Sequence, residues 1–139
     1  MAIGSGIKIT GVEELQAAFR EVLRQAPDRV EKQLMKMGRR LRKNTQERTP
    51  ERSGRLRKSY KLSEPKRLSD GYQLEMHNSK PHFHLVERGH REVDPVTGQE
   101  YGFVPGAHML EQSVTEMNDQ APGELEKWLN KLYKELHKP

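Results

Sequence analysis

The chain contains no cysteine. Disulfides, zinc-thiolate centres and a thiol nucleophile are thereby excluded, and the composition fits a reducing compartment. Long apolar runs are missing as well. None approaches the ~20 residues that a membrane span requires. The opening stretch MAIGSGIKITG has no basic region followed by a long apolar one, so no signal peptide is expected. Large aliphatic and aromatic residues are in short supply: Leu, Ile, Val and Phe number 28 of 139. That fraction is close to where highly charged chains fail to fold. The net charge, however, is only +5, and the apolar residues fall in periodic patterns. The expectation is therefore one folded domain, residues 1–139, with a thin core whose stability is supplemented by partners or further copies.

What the chain has is positive charge in one place. Between Lys36 and Lys61 there are eleven basic residues and two acids, Glu47 and Glu51. That segment carries +9, so the rest sums to −4. The periodicity shows where the cations lie. Val12, Leu15, Phe19, Val22, Leu23 and Ala26 form one face of a first helix. Pro27 ends or kinks it and suits the first turn of a second helix, because its missing N–H costs little there. The second helix is expected from Asp28 to Arg48, with Val30, Leu34, Met37 and Leu41 as its apolar stripe. Lys32, Lys36, Arg39 and Lys43 fall on the opposite side. Thr49-Pro50 closes it, since the residue before proline is pushed out of helical geometry.

Residues 6–10 (GIKIT) read as a short strand, and SYKLSE (59–64) and GYQLEMH (71–77) as two strands joined by PKRLSD. REVDP and QEYGFV flank DPVTG, a second hairpin signal. Met109, Leu110, Val114 and Met117 predict another helix. Pro122-Gly123 is expected to break it from a last one through Leu125, Trp128, Leu129, Leu132, Tyr133 and Leu136. The fold class is α+β: long helices and a C-terminal helix packed on a small, mostly antiparallel sheet.

The segment HFHLVERGH (82–90) raises a chemical question. On a strand, His82 and His84 would share a face and a two-histidine metal pair would follow. On a helix they point about 200° apart. Pro81 stands where a helix starts and Gly89 where one stops, so a short helix from Pro81 to Arg88 is expected, with Phe83 and Val86 inward. His90 and His108 complete the set of possible ligands, but there is no HExxH spacing. Glu87 with His84 or His90 could serve acid–base work, yet no GxSxG, Gly-rich phosphate loop or paired carboxylates accompany it. Glu87 is expected instead as a helix-end carboxylate paired with a neighbouring arginine. No catalytic or metal residue is assigned, and no cofactor.

The basic segment suits phosphate contact without base reading. No Asn or Gln is interleaved at recognition spacing, and Tyr60 is its one aromatic residue. The contrary reading is a solvated helix face.

The order of these parts resembles the small tail-component or tail-completion proteins of long-tailed phages, relatives of minor tail protein Z. The resemblance rests on Arg48, Pro50, Arg52, Ser53, Gly54, Leu56 and Ser59, which fit an Arg-x-Pro-x-Arg-Ser-Gly-x-Leu-x-x-Ser pattern. Phe83, Val86, Glu87 and Gly89 fit an apolar-x-x-Val-Glu-x-Gly segment, and Val104, Pro105 and His108 a proline-marked approach to the last helices. The tyrosine-alanine usual before that valine is replaced here. The likeness spans about residues 8 to 136. It implies a structural virion protein of the head–tail junction, without catalytic activity, made in the host cytoplasm. It would form a homo-oligomeric ring, with six-fold symmetry implied, against the head connector or stopper and the tail terminator or tube proteins. It also implies that Arg48, Pro50, Ser53, Gly54, Leu56, Ser59, Val86, Glu87 and Gly89 are structural. Lys32, Lys36, Arg39, Lys43, Arg52, Arg55 and Arg57 are the candidates for contact with packaged DNA or an acidic partner; no membrane is implied. The rivals are a free-standing, sequence-independent nucleic-acid-binding module and a histidine-dependent metalloenzyme.

Overall fold

A computed structural model describes residues 12–50, 54–69 and 71–136. The expected strand at 6–10, together with Arg52 and Ser53, lies outside them. The fold is α+β. Among the described residues five helices run in chain order: α1 Val12–Gln25, α2 Pro27–Arg48, α3 Gly54–Arg57, α4 Phe83–Arg88 and α5 Met109–Leu136. The strands are β1 Tyr60–Leu62, β2 Lys66–Leu68, β3 Gly71–Gln73, β4 Met76–Asn78, β5 Gly89–Val93 and β6 Glu100–Pro105. They form three two-stranded antiparallel ladders, β1 with β4, β2 with β3 and β5 with β6. The two strands expected at 59–64 and 71–77 are thus four short ones. Pro65 cannot donate to a ladder, and pairing resumes at Lys66↔Gln73.

Two compact units emerge, each assembled from separated segments. The first comprises Met1–Met37, Glu64–Leu74 and Met117–Pro139; the second comprises Gly38–Ser63 and Glu75–Glu116. In the first, Ala18 and Val22 of α1, Val30 of α2, and Leu129 and Leu132 of α5 form the buried core, flanked by Leu23, Ala26, Tyr72 and Trp128. Helical spacing brings each set to one face. Pro27 opens α2, and the amides of Arg29 and Val30 bond the Ala26 carbonyl. Arg29 pairs with Glu135 at 2.7 Å, and Arg67 with Glu31 at 2.7 Å.

In the second unit the buried apolar side chains are Leu56, Tyr60 and Met109. They share the interior with Thr45, Thr49, Ser59, Glu87 and Ser113. The β5–β6 hairpin turns through Asp94–Gly98 as its sequence predicts. The Asp94 carboxylate accepts from the Val96 amide at 2.8 Å, and Gly98 takes φ 74°, a left-handed value that suits glycine.

The expected break in the last helix does not occur. Pro122 does not break the last helix; α5 continues through it for 28 residues. The proline removes one i→i−4 bond, and the burial of Leu129 and Leu132 in the first unit's core and of Met109 and Ser113 in the second offsets that local cost.

Candidate functional site

The motif residues converge within the second unit, at the end of α2 and around α4. At the close of α2, Thr49 is buried. Its hydroxyl donates to the Thr45 carbonyl at 2.7 Å and lies 2.9 Å from the Tyr60 hydroxyl. Its carbonyl accepts from Arg57 Nη2 at 2.6 Å. Burial pushes the Tyr60 hydroxyl above its usual pKa, the Thr49 hydrogen bond opposes this, and the Glu87 charge adds to it. The Tyr60 ring meets Phe83 edge-on at 5.9 Å. Leu56 is fully buried, and its carbonyl accepts from Asn78 Nδ2 at 2.8 Å. Ser59 Oγ returns to the Arg55 carbonyl at 2.5 Å, closing the α3 turn against β1. Arg48 donates to Ser113 Oγ at 2.8 Å and pairs with Glu116, fastening the last turn of α2 to the first turns of α5.

Around α4 the helix forms as expected, so His82 and His84 diverge and both are exposed. Glu87 is 8% exposed, and the expected arginine partner is not what it meets. Its carboxylate oxygens accept the Leu110 amide at 2.9 Å and the Glu111 amide at 3.1 Å. These are second- and third-position amides of α5, which lack intrahelical acceptors. An N-cap side chain normally supplies an oxygen there. The residue before α5 is His108, and its ring instead lies 2.8 Å from the Glu111 carboxylate. A carboxylate 23 residues away thus does the capping, favoured further by the helix dipole.

Two glycines close this corner. Gly89 has φ 88°, and a Cβ on it would come within 2.4 Å of the Val104 carbonyl oxygen. A Cβ on Gly106 would come within 2.3 Å of the Glu87 carbonyl oxygen. The Ala107 and His108 amides bond the Val86 and Glu87 carbonyls at 2.8 and 3.1 Å.

Glu87, His108 and Glu111 bring possible ligand atoms within 4.8 Å of one another. Both Glu87 oxygens already accept amide protons, and the positive end of α5 opposes a cation. The chemistry of the trio is that of a helix cap.

Of the basic residues, Lys32, Lys36, Arg39 and Lys43 are all exposed on α2. Their spacing keeps them within about 60° of one another around the helix. Arg55 is exposed in α3, whereas Arg57 is half-buried and turned onto Thr49.

A family model described as "Bacteriophage HK97-gp10, putative tail-component" matches residues 13–89, more than half of the chain. The chain belongs to this family of phage tail components. It is accordingly a structural protein of the virion, built to meet other virion proteins. Comparison with curated proteins and with solved structures finds no match. The matched segment ends at Gly89, so it holds the tail component's α2 terminus and the capping carboxylate but not the amides that Glu87 caps. Sequence reading missed that role because donor and acceptor lie on separate elements. Among the described residues no helix is long and apolar enough to cross a membrane.

Proposed function

We propose that this tail component acts at the head–tail junction. It completes the tail and joins it to the head connector through contacts between copies arranged in a closed ring, six-fold by analogy with its family's setting. It makes and breaks no covalent bonds and uses no cofactor. Its neighbours are the connector or stopper on one side and the terminator or tube proteins on the other.

The observation that carries this reading is the outward cationic stripe of α2, Lys32, Lys36, Arg39 and Lys43, on a chain of a tail-component family. The motif residues at the end of α2 and around α4 are engaged within the fold, which leaves the stripe, with Arg55, free to meet packaged DNA or an acidic partner. Contact of this kind reads phosphate charge and not base identity.

Reversing Arg39, Lys43 and Arg55 to Glu tests the assignment. Separate heads and tails should accumulate while the purified variant keeps its wild-type circular dichroism. Normal yields of joined particles would refute it. The same stripe also supports a second reading, a free-standing DNA-binding module. In that case the purified protein binds duplex DNA alone, with log K falling by ~0.9 per neutralised phosphate for each tenfold rise in salt. Imaging that locates the chain along the tail axis separates the two.

A further inference from the structure

We infer that the tip of the β5–β6 hairpin of one copy docks into an arginine-rimmed cleft in the first unit of the next copy. The inference rests on the proposal that copies associate, and it specifies how.

The hairpin exposes apolar side chains that its own fold does not cover. Val96 is 91% exposed, Tyr101 70% and Val93 47%. A lone two-stranded ribbon is marginal in water, and apolar side chains clustered at its tip mark a contact surface. The tip is also acidic. From residue 92 to residue 101 the chain carries Glu92, Asp94 and Glu100 and no basic residue; Glu100 pairs with Arg91 at 3.0 Å, an exposed pair weak enough to exchange partners on docking.

The cleft offers the complement. It is an open groove of about 560 Å³. Leu23, Leu68 and Tyr72 line it, with Arg20, Arg24 and Arg67 around them. Leu68 is itself 48% exposed. Arg24 is bonded to Glu21, and Arg67 to Glu31 and Asp28. These arginines are largely exposed, and such surface pairs are weak enough to exchange partners on docking. An acidic, apolar tip therefore matches an apolar groove edged by guanidinium groups, in sign of charge and in apolar character.

Tip and cleft are different surfaces, so each copy presents one of each. Such a heterologous contact propagates head to tail and closes into a ring when the rotation permits. That arithmetic favours a second copy over an unrelated occupant, since every copy already carries both halves.

The natural absence of cysteine makes the test direct. Full-length chains carrying Val96→Cys or Leu68→Cys, with different tags, are mixed and oxidised. The expected result is a disulfide between unlike chains, at least tenfold above either like pairing. Arg24→Glu on the Leu68→Cys chain should lower the yield severalfold, and Glu100→Lys on the other chain should restore it. Equal yields for like and unlike pairs overturn the docking. So does an absent cross-link in chains that associate by sedimentation, and in that case the ring proposal survives. Chains that remain monomeric both in solution and in the presence of the connector remove both.

Discussion

In the first unit the buried contacts are mainly aliphatic, Ala18 and Val22 against Val30, Leu129 and Leu132, with Gln33 the one buried polar side chain among the described residues. In the second, Thr45, Thr49, Ser59, Ser113 and Glu87 are buried beside Leu56, Tyr60 and Met109, and hydrogen bonds join them. The two kinds of interior fail differently. Aliphatic packing is non-directional and tolerates volume-conserving exchange. A buried polar network is directional, and removing one member leaves its partners unsatisfied. The recognisable motif lies almost wholly in the second kind. A chain with few large apolar residues can fix a unique geometry in this way, by giving its buried hydroxyls and the Glu87 carboxylate specified partners.

The sharpest way to break that comparison is Leu129→Ala. The side chain is fully buried, so the loss should be about 2–5 kcal/mol. Hydrogen exchange should show protection falling in α1 and the C-terminal half of α5 more than in β1 and β4. An even loss across the chain would mean that the two interiors do not act separately. Glu87→Ala should cost less, about 1–3 kcal/mol, by stranding the Leu110 and Glu111 amides. Those two amides should exchange faster, which a peptide-resolved measurement would read. Smallest is the effect of Tyr60→Phe, about 1 kcal/mol at neutral pH. Here pH adds a second readout. The folded protein holds the Tyr60 hydroxyl above its usual value near 10. Its contribution is therefore complete below about pH 10 and fades as pH rises through the folded value, because the unfolded chain ionises first. Tyr60→Phe should flatten part of the fall in denaturant midpoint as pH rises above about 10.

What could be read from the sequence follows the same division. Periodicity alone gives α1 and α2, because 3.6-residue spacing is a local property. Pro81 and Gly89 bracket α4, and DPVTG marks the second hairpin, again through local backbone limits. Pro122 misleads for the converse reason. A proline's local cost is fixed, while the packing of Trp128, Leu129 and Leu132 that outweighs it is tertiary. The cationic segment was legible as composition and its outward stripe as helical spacing, but the inward turn of Arg57 onto Thr49 was not. Lys36, Arg39 and Lys43 face outward, whereas Arg48 and Arg57 serve internal bonds. Nothing within five residues of Glu87 identifies its acceptors' partners, since Leu110 and Glu111 lie on another helix.

The paired glycines at the α4 corner bear on heredity. Gly89 admits the backbone at Val104, and Gly106 admits the backbone at Glu87. Each omitted methyl protects the same seam, so neither position can drift alone. Lineages that keep the first glycine should keep the second, and those that abandon one should have rebuilt the crossing from both sides. Such paired inheritance would carry a recognisable signature seventeen residues past the end of the matched segment.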